Sequence, residues 1–334
     1  MSIALSRQSS PPLLVPNLRR VDSTTVARTE LVQPSMCGQT SLLCGRIGDW
    51  TWDAVSALCG IQVLNARNQS GAPTYLSFYY YHIRGSSEFH LRTPGFGDLL
   101  HVTSSVFSLG SESVLTLHRI ARTPVGHDPD PTLTETSVDP EEFYSSRNPD
   151  CLYVETFNRW ITRSDGGGNT NLLRSSPVDF RHAHLPTLPR KYSPRPTCHM
   201  ARSQHTFLPD RSDEYRPFGE PLRLKYPVDV SRDLNGVGLL YFATYFAIVD
   251  WSLLQFWRAL GRTDAAFLNR VVLDQKLCFL GNADLNTVIA VDVQGFTRAS
   301  DPTEQCADVV LLDADTSRAL AVCTLRFADA GGVP

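Results

Sequence analysis

Apolar residues along the chain fall into two kinds of run. In "YLSFYYYHIRG" (Tyr75 to Gly85), "DLLHVTSSVFSL" (Asp98 to Leu109), "ESVLTLHRI" (Glu112 to Ile120) and "CLYVETFNRWITR" (Cys151 to Arg163), aromatic and β-branched residues continue without a breaker. That pattern predicts strands, and Gly110-Ser111 between the second and third predicts a hairpin turn. "GDWTWDAVSALCG" (Gly48 to Gly60) instead spaces its apolar residues helically, opens on Asp49 as a plausible N-cap and closes on glycine. It predicts a short helix ahead of the strands.

The second half repeats this order. "GEPLRLKYPVDV" predicts a strand and Leu239 to Leu260 a helix ended by Gly261. "FLNRVVLDQKLCFL", "NTVIAVDVQGF", "CADVVLLD" and "RALAVCTLRF" predict successive strands, the last two joined by the turn "ADTS". Asp-Leu precedes a strand in both halves, in "GDLLHV" (Gly97 to Val102) and "ADLNTV" (Ala283 to Val288). Repetition on the scale of a whole domain points to duplication. The second helix carries Leu239, Leu240, Phe242, Ala243, Phe246, Ala247, Ile248, Leu253, Leu254, Phe256 and Trp257, so it has almost no polar face and must be enclosed. A curved antiparallel sheet wrapped around one long helix is the hotdog architecture. The fold class predicted is therefore α+β, a double hotdog of two antiparallel sheets, each wrapped around a central helix.

Between Ser164 and Glu214 the texture changes. Gly166-Gly167-Gly168 and six prolines from Pro177 to Pro209 mark a long connection. The expected organisation is a disordered tail over residues 1–30, a first hotdog over 31–163, a Pro/Gly-rich connection over 164–214 and a second hotdog over 215–330.

Composition narrows the partners. The 334 residues are 42% hydrophobic and 19% charged, enough for two ordinary cores, and the formal net charge of -3 gives no basic field for nucleic acid or an anionic membrane. The first thirty residues lack the apolar core of a signal peptide or a membrane span. Eight scattered cysteines without CxxC pairs fit reduced thiols, and the cytoplasm is the expected location.

"DLNGVGLLYFATYF" (Asp233 to Phe246) is similar to the segment with which hotdog thioesterases build their thioester site. Asp233 matches the acidic residue, Gly238 the glycine at the turn into the helix and Tyr245 the helix tyrosine. Leu239 and Leu240 stand where that family usually has a polar helix start, which counts against hydrolysis and dehydration. From about Val26 to Arg326 the chain resembles more closely the double-hotdog bifunctional acyltransferase/decarboxylases of leinamycin-type polyketide biosynthesis. "RTELVQPSMCG", "GRIGDWTWDAVSALCG", "TYLSFYYYHIRG", "VTSSVFSLGSESVLTLHRI", "YVETFNRW", "DLNGVGLLYFATYF" and "LGNADL" carry that resemblance. It implies methylmalonyl-CoA as acyl donor, a tyrosine that takes up the acyl group, and propionyl on an acyl carrier protein as product.

Acyl transfer needs a nucleophile, a site for the oxyanion and a means of activation. A phenol near pKa 10 needs donors or cations beside it. Strand alternation in "YLSFYYYHIRG" places Tyr75, Ser77, Tyr79 and Tyr81 on one face. Tyr79, in mid-strand, is the first candidate nucleophile and Tyr75 the second. Asn235 and backbone N–H groups of Gly236 to Gly238 at the expected helix start, with Asp233, are candidates to hold the thioester oxygen or simply to cap the helix. Leu239, Leu240, Phe242 and Tyr245 are expected to wall the substrate pocket. The thioester is its own electron sink, so neither a metal nor an organic cofactor is expected; phosphopantetheine arrives on the partner carrier protein.

Weaker candidates are His182, His184, Cys198, His199 and His205, which lack zinc spacing, and Gly166-Gly167-Gly168-Asn169, which lacks the rest of a phosphate loop. Arg84, Arg92, Arg119, Arg122, Arg159 and Arg163 are all available for CoA phosphates. The alternatives to an acyltransferase/decarboxylase are a hotdog thioesterase or dehydratase on carrier-bound substrates and a non-catalytic acyl-thioester binding protein, in which the tyrosine face would be packed shut.

Overall fold

A computed structural model describes residues 17–127, 136–164, 168–208 and 214–328. Its strands are β1 (Leu18–Arg20), β2 (Thr25–Leu31), β3 (Tyr75–Arg84), β4 (Leu99–Ser108), β5 (Ser113–Thr123), β6 (Cys151–Arg163), β7 (Leu172–Arg174), β8 (Tyr215–Pro227), β9 (Val271–Phe279), β10 (Val288–Arg298), β11 (Asp301–Asp313) and β12 (Ala319–Ala328). The helices are α1 (Thr40–Cys59), α2 (Pro140–Ser145), α3 (Arg195–Gln204), α4 (Phe242–Ala259) and α5 (Asp264–Asn269). None among the described residues is long and apolar enough to cross a membrane.

The duplication is visible in the strand order, β1-β2-β4-β5-β6-β3-β9-β12-β11-β10-β8, with β7 on β6. Read outward from the centre, β3-β6-β5-β4-β2 mirrors β9-β12-β11-β10-β8. Each half is one strand, one long helix and four antiparallel strands, and the Asp98-Leu99 and Asp284-Leu285 landmarks lead into equivalent strands, β4 and β10. The fold is a double hotdog of the α+β class, with one change from the expectation: the halves share a single sheet. Tyr80 to Arg84 of β3 pair with Cys278 to Asp274 of β9, and this short seam joins them.

Nor are there two separate cores. Ile47 and Trp50 of α1 and Phe246, Val249 and Leu253 of α4 belong to one buried cluster that runs from Val32 to Phe327. The helices pack against each other inside the curved sheet, so each is covered by sheet on one side and by its twin on the other. At 25 cal/mol per Å² of apolar surface, this shared burial is the main stabilising force.

The structure differs from the expected boundaries and elements in five places. Residues 17–30, assigned above to a disordered tail, contain β1 and β2, and Val26 and Ala27 of β2 are buried against the sheet through pairing with β4; residues 1–16 lie outside the described part. Helix α1 begins at Thr40, so Asp49 is a mid-helix residue rather than the N-cap, although Gly60 does end it in the left-handed conformation (φ 63°). Helix α4 begins at Phe242 rather than Leu239. "FLNRVV" is split between α5 and β9, and the connection carries a real helix, α3, whose start is set by Pro194 and Pro196.

Candidate functional site

On the seam side of β3, pairing with β9 starts only at Tyr80, so the first five residues, Tyr75 to Tyr79, have no strand neighbour there. A cavity of about 660 Å³ opens beside them. Its apolar wall comes from Trp52 of α1, Phe78 of β3, Leu239, Leu240, Phe242 and Tyr245 at the start of α4, and Phe279 at the end of β9. The rings of Phe78 and Phe242 lie 4.2 Å apart and Trp52 meets both at 5.6 Å, which makes this wall rigid and dry.

The expected alternation along β3 is broken by a bulge. Phe78 pairs with Asn158 and Tyr80 with Phe157, so Tyr79 is an extra residue with no partner. Before the bulge, Tyr75, Ser77 and Tyr79 reach the cavity. After it the pattern flips, and Tyr81, expected on the same face, points into the core and donates to Cys44 O at 3.1 Å. The bulge thus leaves Tyr79 at the end of the free stretch, where the strand rejoins the sheet.

Tyr79 is surrounded by guanidinium groups. Arg202 Nη2 of α3 donates to Tyr79 Oη at 3.2 Å, and Arg159 of β6 lies over the ring with Cζ 3.6 Å from its centroid. Both line the cavity, as do Arg174 of β7 and Arg318. Among the described residues the lining contains no Asp, Glu or His. Burial lowers the Arg159 pKa, Tyr79 opposes that, and Arg174 adds a further lowering; the Arg202 pKa is raised, first by its hydrogen bond to Tyr79.

Two other tyrosines that line the cavity, Tyr245 and Tyr241, are held as phenols. Tyr245 is buried and donates to Gly281 O at 2.8 Å, and burial pushes its pKa up. Burial, with Asp49 and Cys44, pushes Tyr241 up to about 12. Tyr75 lies 5.9 Å from the Arg163 guanidinium, ring centroid to Cζ.

Two of the residues expected to hold the thioester oxygen are placed elsewhere. Asp233 does not line the cavity: it is 1% exposed and its carboxylate accepts from Tyr226 Oη at 3.0 Å and from the Asp229 N–H at 2.8 Å. It ties the approach to α4 onto β8. Gly238 is also outside the lining; its positive φ of 74° turns the chain, and its carbonyl accepts from Asn169 Nδ2 at 2.8 Å. Asn235 and Gly236 do line the cavity, yet the expected row of free amides is absent. Because the helix starts later, the loop satisfies itself: Asn235 Oδ1 accepts from Val237 N at 3.1 Å and Leu239 N at 3.0 Å, and Asn235 O from Gly238 N at 2.9 Å. Leu240 is clamped at both backbone groups by the Asn282 amide, at 3.0 and 3.1 Å.

Four participants escaped the sequence. Arg174, Arg202 and Arg318 sit in the connection and in a turn, with no motif around them. Asn169, weighed above only as the end of a glycine run that lacks the rest of a phosphate loop, is 5% exposed and bridges Gly238 O and Ala283 O while accepting from Arg163; Gly166 and Gly167 lie outside the described residues. Of the arginines weighed above, only Arg159 lines the cavity. Arg84, Arg92, Arg119 and Arg122 serve Phe143 O, Gly38 and Leu268 carbonyls, Glu142 and Asp98 respectively. Among the described residues no three His, Cys, Asp or Glu side chains gather as a metal site.

Comparison with known proteins places this geometry. Among solved structures, the chain is similar to a Lactobacillus plantarum protein described as an oleoyl thioesterase, with a TM-score of 0.56, 10% identity and coverage of 92% of this chain and 96% of that one. It is also similar to the 12:0-ACP thioesterase from Umbellularia californica, with a TM-score of 0.48, 11% identity and coverage of 91% and 94%. The first similarity supports the double-hotdog fold. No curated protein sequence matches the chain. The family model described as LnmK N-terminal Hot Dog Fold domain matches residues 27–209, more than half of the chain and the part that supplies Tyr79, Arg159, Arg174 and Arg202. The chain therefore belongs to the family of the LnmK N-terminal Hot Dog Fold domain.

Proposed function

We propose that this protein is an acyltransferase and decarboxylase that takes methylmalonyl-CoA, carries the acyl group as an ester on Tyr79, and delivers propionyl to the phosphopantetheine thiol of an acyl carrier protein. One observation supports this above the rest: a phenol with a guanidinium donor at 3.2 Å and a second guanidinium on its ring face, in a cavity whose described lining has no carboxylate or imidazole. A hydrolase needs a general base to activate water. Here a phenol and two guanidinium groups stand in that place.

In the first step Tyr79 Oη attacks the thioester carbonyl, Arg202 stabilises the oxyanion, and CoA leaves as a thiol with the phenolic proton. Loss of CO2 from the methylmalonyl group leaves its electron pair on the ester enolate. The apolar wall of Phe78, Phe242 and Trp52 lowers the solvation of the carboxylate there, and a proton from water completes the propionyl group. The carrier thiol then attacks the ester, its proton passing to the departing Tyr79 phenolate. No cofactor enters this sequence.

The test is intact mass spectrometry of the protein and of a phosphopantetheinylated carrier after mixing with methylmalonyl-CoA. Propionyl on the carrier and an acyl adduct on the protein are expected, with Tyr79→Phe removing both by at least about 10³-fold and Tyr75→Phe retaining them. Free acid as the sole product would replace this reading by a thioesterase, and an unchanged donor would end it.

A further inference from the structure

Arg159 is a partly buried cation. Among the described residues no carboxylate forms an ion pair with it or with Arg174 and Arg202, the neighbours that share its cavity. Arg174 and Arg202 are exposed, whereas Arg159 is half-buried beside Arg174, so in a cavity whose described lining holds no acid Arg159 is the guanidinium that gains most when an anion enters. Three other arginines in this molecule are compensated by carboxylates: Arg270 donates to Asp250 at 2.6 Å, Arg28 lies 3.0 Å from Asp53 and Arg122 lies 3.2 Å from Asp98; buried Arg84 is held instead by Phe143 O and the Phe143 ring, neither of which borders the cavity.

The position of the cluster says which anion. Arg159 touches the Tyr79 ring and Arg202 its hydroxyl, so the charges sit at the reacting end of the cavity. The phosphates of CoA lie a whole pantetheine arm away from the thioester carbon. A carboxylate carried on the carbon next to that carbonyl lies within the reach of one side chain. We propose that Arg159, assisted by Arg174, is a carboxylate-binding residue that selects carboxyacyl thioesters of the malonyl type over plain acyl thioesters. This rests on the cavity being the acyl site, as proposed above, but not on Tyr79 being the nucleophile. The role is in capture: a carboxylate held by a guanidinium is stabilised as the anion, so CO2 leaves only after the group has turned from Arg159 toward the apolar wall.

Binding separates this from the chemistry. In a Tyr79→Phe background, where acylation at that residue is blocked, calorimetric titration with methylmalonyl-CoA and propionyl-CoA compares two ligands that differ by the carboxylate alone. Methylmalonyl-CoA is expected to bind at least about tenfold more tightly, the worth of one charge-assisted hydrogen-bonded pair. Adding Arg159→Met removes the preference while propionyl-CoA affinity stays within about twofold, and Arg159→Lys keeps part of it. Equal affinities before the arginine is changed, or a preference that survives Arg159→Met, overturns the proposal. If Arg159→Met does not fold by circular dichroism, Arg174→Gln is read instead, with the same shrinking preference expected and an unchanged one overturning it. Loss of product in Tyr79→Phe with no difference between the ligands leaves the acyltransferase reading standing and removes this one; retained turnover in Tyr79→Phe with an intact preference does the reverse.

Discussion

The two ends of the β3–β9 seam began as equivalent places and have been used in opposite ways. At one end, Tyr75 to Tyr79 of β3 overhang the seam and border a cavity. At the other, Val271 to Leu273 of β9 overhang it in the same sense, but the 85–98 connection between β3 and β4 closes over them. Gly85 N–H donates to Leu273 O at 2.9 Å, Arg92 Nε to Leu268 O at 2.8 Å, and Phe89 and Leu91 are 2% and 3% exposed in the shared core. The counterpart connection between β9 and β10 is shorter, residues 280–287, and leaves its end open. Each end keeps an arginine. Arg270 at the closed end is paired with Asp250, which also accepts from Thr40, and its guanidinium lies 3.7 Å from the centre of the Phe267 ring. Among the described residues no acid pairs with Arg159 at the open end. A duplicated fold needs only one working site, and the pair shows what closing the other takes: more chain, two apolar plugs and a counter-ion.

The largest effect that probes this contrast is at the closed end. Asp250→Ala leaves Arg270, whose side chain is 0% exposed, as a buried charge with its partner removed. Urea unfolding is expected to show a loss of about 3–5 kcal/mol. The double variant with Arg270→Leu is expected to recover most of it, since an apolar pair of similar volume replaces an ion pair at little net cost. If Asp250→Ala is silent, the closed end is not held by compensation and the contrast with Arg159 loses its basis.

Much of this asymmetry was hidden from the sequence, for identifiable reasons. The strands and the β4–β5 hairpin were legible because Gly110-Ser111 and the unbroken aromatic and β-branched runs are local signals. The duplication was legible because both halves repeat one order. Helix α1 was predicted too short because Asp49 has the side chain of an N-cap and stands just after Gly48. In the structure Gly48 is what lets the Phe242 ring approach, since a Cβ there would lie 2.1 Å from Phe242 Cζ. The start of α4 was misplaced because the Leu240 backbone is held by Asn282, 42 residues away, a contact no local window contains. Tyr79 and Tyr75 were found at the cavity, but the reason for Tyr79's position, the bulge, depends on register with β6. The arginine cluster was out of reach altogether, because Arg159, Arg174 and Arg202 come from two strands and a helix and meet only in the fold.

A middle-sized effect follows from acid. His90 lies in the closing connection, and burial, then Arg92 and Arg270, lower its pKa to about 4. A histidine whose folded pKa lies below its unfolded value near 6.5 contributes stability that is complete above about pH 6.5 and is lost as pH falls toward 4, because the unfolded chain takes up the proton first. His90 is partly exposed, so screening limits the contribution to about 1–2 kcal/mol. Stability measured between pH 7 and 4.5 is expected to fall less steeply in His90→Gln than in the wild type. Hydrogen-exchange protection factors of the 85–98 amides, corrected for the intrinsic pH dependence of exchange, are expected to fall over the same range while those of β5 and β6 hold. Parallel pH curves for the two proteins would show that the plug is insensitive to this residue.

The smallest effect expected on stability is at the open end, and its smallness is the point. Arg159→Met deletes a cation and its contact with the Tyr79 ring, a contact worth about 0.5–1 kcal/mol at such a site. The same change removes the cost of keeping that charge partly out of water among other guanidinium groups, and methionine retains an apolar stem against Phe157, whose ring lies 4.8 Å from the guanidinium carbon. The two terms oppose each other, and the net change in unfolding free energy is expected to stay within about 1 kcal/mol. A residue that costs little to remove from the empty protein yet changes which thioester binds is held for its ligand. A loss as large as that of Asp250→Ala would instead make Arg159 a structural residue like Arg270, and the two ends of the seam would then differ in volume alone.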